Sequence, residues 1–155
     1  MDLNDTALLD IPAGYPNLRY DMMTVLRKPA KLISFEPHLH ADGKRMCLEV
    51  VYPDGKLETL NCANYNHNWV KAYMYQDDAA PLLPAGTIMH VISYFDTTAS
   101  NPKIIEPRNW RGKGSRSIDD MCVFLGKLVY FTEDEFKAEV AARENRQRPS
   151  KQTAQ

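Results

Sequence analysis

Two of the four histidines in this 155-residue chain are separated by a single residue, in the tripeptide His38-Leu39-His40. The surrounding sequence predicts a strand, and side chains two apart on a strand project from the same face, about 6.5–7 Å apart. Two imidazoles at that spacing can converge on one metal ion, because metal–nitrogen bonds are about 2 Å long. Pro37 cannot donate to a strand ladder, which favours a strand end or a sheet edge. His38 and His40 are therefore candidate metal ligands. The alternative is two half-exposed histidines beside a turn.

A third ligand has to come from another part of the chain, and Met121 is one candidate. A thioether is a soft donor, and together with two imidazoles it favours copper, especially Cu(I), over zinc or magnesium. On spacing alone Met121 is interpreted as a core residue, because the chain contains seven methionines. A zinc hydrolase would need His67 or His90 as its third ligand instead.

Short apolar runs predict the strands that must position these ligands. Ten prolines and seven glycines punctuate the chain at the spacing of a β-sandwich or barrel. The predicted strands cover residues 20–26, 31–40, 45–52, 56–61, 68–75, 87–96 and 121–131. Asp-Gly pairs at 42–43 and 54–55 predict hairpin turns with positive φ, and residues 84–86 predict another tight reversal. The predicted fold class is all-β.

Two segments lie outside this strand pattern. Residues 97–117 predict a long loop, and loops of this length are uncommon in a compact domain unless they have a function. The alternative is a surface loop that only connects two core strands. Thr132 and Glu135 fit a capping box, which predicts a helix over 132–146. On that helix Phe136 and Val140 share a face that would pack on the sheet. Residues 147–155 are predicted to form a flexible tail.

Composition and charge exclude several classes of protein. Nineteen Lys plus Arg against twenty Asp plus Glu give a net charge of −1. The chain as a whole therefore has no positive electrostatic potential that would attract nucleic acid. No apolar run approaches the roughly 18 residues that span a bilayer. The first residues lack the cationic and apolar stretches of a signal peptide. A cytoplasmic location is expected if Met1 is the native start, and a periplasmic or secreted one if the chain is an excised domain.

The cysteines leave one question open. Cys47 and Cys62 flank the turn around Asp54-Gly55. A two-residue loop at that turn would place the two cysteines directly opposite, whereas a three-residue loop would shift the register by one. A disulfide there would favour an oxidising compartment.

A series of short motifs, of which the His-x-His is the first, occurs in a fixed order within residues 9–131. They are Pro37-His38-Leu39-His40, Tyr52-Pro53-Asp54-Gly55-Lys56, Asn66-His67-Asn68-Trp69, Leu83-Pro84-Ala85-Gly86-Thr87, Tyr94-Phe95-Asp96-Thr97-Thr98, Asn101-Pro102 and Ser117-Ile118-Asp119-Asp120-Met121. As an ordered series they resemble the C-terminal domain of the copper type II, ascorbate-dependent monooxygenases, in particular a bacterial branch of the family that includes peptidylglycine α-hydroxylating monooxygenase and dopamine β-monooxygenase.

The resemblance implies a jelly-roll-like antiparallel β-sandwich over residues 1–131 that binds one copper per chain. It assigns the copper ligands to His38, His40 and Met121. In this family reduced copper at the site activates O₂ for hydroxylation of a substrate C–H bond, with a small-molecule reductant. His67, Tyr94 and Asp96 are expected near the metal, and the loop at 97–117 is expected to border it.

The chain also departs from the family pattern. The monooxygenases hold a second copper with three histidines of an N-terminal domain, and beyond His38 and His40 only His67 and His90 remain here. The chain is therefore expected to act with an N-terminal copper domain, a partner subunit or an external reductant. A non-catalytic copper-binding domain and a structural β-sandwich in a larger assembly are the alternatives.

Two single residues also depart from the family pattern. His67 stands where the bacterial branch often has an aromatic residue, so it is an extra ligand, an acid–base group or a half-buried loop residue. Cys122 has no cysteine partner in residues 88–96, where the animal enzymes have one, and is expected to be a buried free thiol.

Overall fold

A computed structural model describes residue 9 and residues 11–106, 108 and 112–147. Within these residues the chain forms eleven strands and one helix. They are β1 (Leu18–Val25), β2 (Ala30–Leu32), β3 (Ser34–Phe35), β4 (Pro37–Leu39), β5 (Gly43–Val51), β6 (Leu57–Asn64), β7 (Tyr73–Met74), β8 (Leu82–Leu83), β9 (Ile88–Phe95), β10 (Cys122–Phe124), β11 (Leu128–Tyr130) and α1 (Glu133–Gln147). The predicted all-β class with a short C-terminal helix is confirmed. The predicted tail lies outside the described residues, apart from Gln147.

The largest sheet has four antiparallel strands in the order β1-β9-β5-β6. Side chains alternate between the faces of a strand, and the inner face presents fully buried residues such as Leu48 of β5 and Val91 of β9. The same apolar core takes in Leu32, Phe35 and Leu39 from short strands of three smaller sheets. The fold is therefore sandwich-like, with the core between the large sheet and a layer of short strands.

The predicted strand at 31–40 is three strands with three different sets of partners. Strand β2 pairs with β11 and β8, β3 pairs with β7, and β4 pairs with β10. The predicted strand at 121–131 divides in the same way into β10 and β11, around Gly126. A Cβ added to Gly126 would lie 2.1 Å from the Phe124 ring and 2.5 Å from the Ser34 carbonyl oxygen. The apolar pattern runs through all three breaks, because side chains on either side of each break still point into the same core.

The sequence also overestimates one strand and misses another. Of the predicted strand at 68–75 only Tyr73 and Met74 pair in a sheet, and strand β8 at Leu82–Leu83 was not predicted. Both are two-residue strands, which are shorter than the runs that alternation of apolar and polar residues can reveal.

The hairpin between β5 and β6 explains how the two cysteines meet. Its loop has three residues, closed by the hydrogen bond from the Tyr52 amide to the Lys56 carbonyl, with Gly55 at a φ of 86°. Such a loop alone would move Cys47 out of register with Cys62. A bulge after Leu48, opposite Leu60, shifts the register back by one residue, so that Cys47 faces Cys62 and the two form a disulfide.

The Asp42-Gly43 pair does not form the predicted hairpin. Strands β4 and β5 on its two sides belong to different sheets, and Gly43 is absent from the described residues with positive φ. Glycine is required there for a close approach instead. A Cβ added to Gly43 would lie 2.4 Å from the Cβ of Leu39, so the chain can turn sharply from one sheet to the other only without a side chain.

Cys122 is a buried free thiol, as expected. Burial raises the pKa of the Cys122 thiol to about 12, against the opposing effect of a hydrogen bond with Ser93. Because this pKa lies above the ordinary value, the thiol stays protonated and unreactive at all pH values well below 12.

We expect no reaction of the native, non-reduced protein with Ellman's reagent at pH 8, because Cys122 is buried and protonated and the other two cysteines are joined. Denaturation without reductant should expose one thiol per chain, and denaturation with prior reduction should expose three. Fast titration of a thiol in the native protein would contradict this environment for Cys122.

The helix begins with the predicted capping box. Thr132 donates from its amide and its hydroxyl to Glu135 Oε2, at 2.8 and 2.9 Å, and the Glu135 amide donates back to Thr132 Oγ1 at 3.3 Å. These hydrogen bonds hold the pKa of Glu135 below its usual value. Phe136 and Val140 are half-buried, and no described helix residue is fully buried.

Besides the partly buried Phe136 and Val140, polar contacts also hold the helix against the strands and loops. Glu139 pairs with Lys31 at 3.1 Å, and Arg143 donates to the carbonyls of Ala80 and Asp77 at 2.6 and 2.9 Å. No helix in the described part of the chain is long and apolar enough to cross a membrane.

Replacing Thr132 with alanine should lower the free energy of unfolding by about 0.5–2 kcal/mol, because the capping hydroxyl is lost. Urea denaturation measures this change. Lys137→Ala is the matched control, since Lys137 is exposed on the same helix, and it should change stability by no more than about 0.5 kcal/mol. Equal effects of the two substitutions would show that the capping box contributes nothing measurable.

Candidate metal centre

The two-stranded sheet of β4 and β10 positions the His-x-His pair. Its register pairs Leu39 with Cys122, His38 with Val123 and Pro37 with Phe124. Leu39 and Cys122 are fully buried on the core side, whereas His38 and Val123 are half-buried on the other face. His40, two residues after His38, continues the histidine face just beyond the strand end.

His40 is held in a defined ring orientation. It is 4% exposed, and its Nδ1 lies 2.8 Å from the Asp119 carbonyl oxygen. A carbonyl oxygen only accepts, so Nδ1 carries the hydrogen, and Nε2 of the neutral ring keeps its lone pair. Metal-binding histidines are commonly fixed in this way, with one ring nitrogen donating to a carbonyl and the other facing the metal.

The Asp119 carbonyl is itself fixed by local contacts. The Asp119 carboxylate accepts two hydrogen bonds from the Arg116 guanidinium at 2.7 and 3.0 Å, and one from the Arg116 amide at 3.0 Å. Arg116 thereby holds the pKa of Asp119 below its usual range. A Cβ on Gly114 would lie 2.0 Å from Asp119 Oδ2, so this turn requires glycine at that position. The residue beside His40 is thus Asp119, which follows the predicted loop at 97–117 and is held by Arg116 of that loop.

His67 also belongs to this cluster. Its ring centroid lies 5.4 Å from that of His40, and the His38 and His40 centroids are 5.5 Å apart. Tyr65 donates from its hydroxyl to the Leu39 carbonyl, and the same oxygen lies 3.4 Å from His67 Nδ1. The sequence named His67 both as an extra ligand and as a half-buried loop residue, and the structure makes it a half-buried loop residue beside the histidine pair.

The ring separations agree with the spacing of imidazoles on a shared metal ion. A metal–nitrogen bond of about 2.0–2.1 Å plus about 1.1 Å from nitrogen to ring centre puts two such centroids about 5–5.5 Å apart. Within the described residues, however, no three side chains among His, Cys, Asp and Glu form a group that could hold a metal ion. The histidines therefore do not form a ready-made site alone, and a donor of another type is needed.

Met121 directly precedes β10, the strand that pairs with the histidine strand β4. The observed β4–β10 register ends at Leu39 and Cys122, and one further pair in the same register would place Met121 opposite His40. Residues directly opposite in an antiparallel pair share a face, with Cβ atoms about 4.5–5.5 Å apart. Met121 is half-buried, unlike the fully buried Cys122 that follows it. We therefore expect the thioether of Met121 on the histidine face rather than in the core.

The electrostatic surroundings favour a neutral imidazole at His38. Burial lowers the pKa of His38, and the neighbouring His40 and His67 lower it further because charges of the same sign repel. A pKa below the ordinary value of about 6.5 leaves the His38 ring unprotonated at neutral pH. The neutral ring is the form that binds metal ions.

Three other sequence candidates lie elsewhere. Tyr94 and Asp96 are at the end of β9, where Tyr94 stacks under Arg45 and Asp96 accepts from Thr98. No ring contact or hydrogen bond in the described part of the chain joins either to the histidines. His90 lies on the large sheet between two carboxylates, with Nε2 2.6 Å from Asp21 and Nδ1 3.4 Å from Glu49. Both of its nitrogens are engaged, so His90 is not the third ligand that a zinc site would need.

The sequence did not predict the contribution of Asp119 and Tyr65. Each acts on a histidine through a backbone carbonyl or a loop contact, and such contacts leave no trace in residue spacing. No protein-family model matches the chain, and no curated protein matches it.

Proposed function

We propose that this chain is a mononuclear copper-binding domain of a monooxygenase-type oxidoreductase. The observation that carries the proposal is the close approach of the His38 and His40 rings at the end of β4, whose partner strand β10 begins directly after Met121. Two imidazoles and one thioether form a donor set that suits copper, and Cu(I) in particular. The ordered motifs that resemble the copper monooxygenases lend independent support.

The residues have separate roles under this proposal. His38 and His40 would hold the metal, and Met121 would stabilise its reduced state. The Asp119 carbonyl orients His40, and Tyr65 contacts His67, which lies close enough to His40 to limit access to that side of the site. When bound, reduced copper would supply the O₂ activation needed to hydroxylate a substrate C–H bond.

Electrons for this reaction would come from outside the described site. His67 belongs to the cluster and His90 is held by carboxylates, which leaves no histidines for a separate three-histidine copper. We therefore propose a partner, either an N-terminal copper domain or a second subunit, or direct supply by a small-molecule reductant. The Cys47–Cys62 disulfide supports a periplasmic or secreted location, since such bonds persist in oxidising compartments.

An anaerobic titration with Cu(I), in competition with a chromophoric Cu(I) chelator, tests the binding step. We expect one tightly bound copper per chain. Failure to compete with the chelator would refute copper binding and leave the structural β-sandwich as the better account.

Oxygen consumption by the copper-loaded chain with ascorbate tests the catalytic step. Ascorbate-dependent consumption above that of free copper, with or without an added partner domain, is the expected result. Tight copper binding without it would support the second candidate, a non-catalytic copper-binding domain. That candidate is favoured by the small number of histidines outside the cluster.

A further inference from the structure

A polar concavity of about 440 Å³ lies at one end of the large sheet, where β5 begins and β6 and β9 end. Three cationic side chains and three carboxamides line most of it: Lys44, Arg45, Lys103, Asn17, Asn64 and Asn101. Its volume falls within the range of about 300–1,000 Å³ that is typical of small-molecule sites. Nothing in the copper proposal uses these residues.

Arg45 is the most informative residue in this concavity. Its guanidinium carbon lies 4.2 Å from the centre of the Tyr94 ring, so the ring supports the flat face of the guanidinium. Its Nε is buried without a hydrogen-bond partner, and no carboxylate of the described residues forms an ion pair with it. A stacked guanidinium has its donors fixed in a fork that fits two coplanar acceptor oxygens.

Arg19 shows the contrasting arrangement on the same sheet face. Both Arg19 and Arg45 lie directly opposite Tyr94, on the strands to either side of β9. Arg19 is paired with Asp21 at 2.7 Å, whereas Arg45 faces the concavity lined by lysines and asparagines. The lack of a carboxylate partner is therefore specific to Arg45 and not a general property of arginines beside Tyr94.

The rest of the lining adds positive charge that is only partly balanced. Asp96 is the acidic residue of the lining, and its carboxylate accepts hydrogen bonds from the Thr98 amide and hydroxyl at 3.1 and 2.7 Å. Lys44 donates to the Pro16 carbonyl at 2.8 Å and keeps its charge at the edge of the concavity. The three cations thus exceed the one carboxylate, and the concavity attracts anions.

We propose that this concavity binds a small organic anion through a carboxylate or phosphate group that pairs with the Arg45 guanidinium. The asparagine amides would then contact hydroxyl or carbonyl groups on the rest of the ligand. Tyr65 also lines the concavity, and its hydroxyl donates to the Leu39 carbonyl and lies 3.4 Å from His67 Nδ1. The bound anion would therefore share Tyr65 as a neighbour with the histidine cluster. The proposal does not depend on copper.

Titration of ¹⁵N-labelled, metal-free full-length protein at low ionic strength tests this site, with succinate, inorganic phosphate and neutral succinamide as probes. We expect succinate, phosphate or both to shift the amide resonances of residues 43–45 and 94–96, and succinamide to leave them unchanged. Binding of succinate alone would identify a carboxylate as the recognised group, and binding of phosphate alone would identify a phosphate. If neither anion shifts these resonances, the proposal is wrong.

Variants separate a built site from general surface attraction. Arg45→Gln should weaken anion binding about 10- to 100-fold, the range expected for the loss of a charge-assisted hydrogen bond. Arg19→Gln is the matched control and should leave the affinity unchanged. Should the Arg45 variant not fold, Lys103→Gln provides the second test and is expected to weaken binding several-fold. Equal weakening by the Arg19 and Arg45 substitutions would overturn the proposal.

Discussion

Replacing His38 with alanine is expected to abolish copper binding and to leave the fold intact. Even the loss of a hydrogen-bond partner of a metal ligand costs about 10–100-fold in affinity, so the loss of the ligand itself should cost more than about 100-fold. The half-buried ring makes no hydrogen bond in the described part of the chain. Its removal should therefore lower the free energy of unfolding by less than about 1.5 kcal/mol. Copper stoichiometry and thermal denaturation measure the two effects.

His90→Gln is the matched control for this substitution. His90 is 9% exposed and lies between Asp21 and Glu49, outside the histidine cluster. Its replacement should reduce stability and leave one copper bound per chain. The opposite pattern, with copper retained in the His38 variant and lost in the His90 variant, would move the metal to the large sheet and refute the proposed site.

Replacing Met121 with isoleucine should weaken Cu(I) binding much more than Cu(II) binding. The thioether is the soft donor of the set and suits the reduced ion. We expect the affinity for Cu(I) to fall at least about tenfold and the reduction potential to fall with it. The change in side-chain volume is small, so stability should change by less than about 1.5 kcal/mol. Chelator competition for Cu(I), and separately for Cu(II), measures the difference.

Met23→Ile provides the comparison for the Met121 variant. Met23 is 52% exposed on β1, opposite His90, and its sulfur has no place in the histidine cluster. Its replacement should leave both copper affinities unchanged. If Met121→Ile also leaves the Cu(I) affinity unchanged, Met121 is not a ligand, and the proposed donor set is wrong.

Much of the fold was predictable because local rules govern it. The capping box at Thr132 and Glu135 fixes the helix start, and apolar alternation marks β1, β5 and β9 within about two residues. Strand breaks around Glu36 and Gly126 were not predictable, because the partner strand changes there while the apolar pattern continues. The sequence also left open whether Cys47 and Cys62 lie opposite each other, because this register requires a bulge opposite Leu60 that compensates for the three-residue loop.

The candidate site was predictable to a similar degree. The His-x-His spacing alone puts His38 and His40 on one face, which is a property of any strand. Met121 needed the resemblance, and its expected approach to His40 depends on the pairing of β4 with β10. Tyr94 and Asp96 were expected near the metal, but they line the concavity at the end of the large sheet. Motif order along the chain carries no information about distances between loops, which tertiary packing sets.

X-ray absorption spectroscopy of the Cu(I)-loaded protein tests the central claim most directly. The account predicts one copper per chain, with two nitrogen ligands from imidazole and one sulfur ligand, and loss of the sulfur scattering in Met121→Ile. Copper bound by nitrogen and oxygen alone, or by the Cys122 thiolate in place of a thioether, would contradict the site of His38, His40 and Met121.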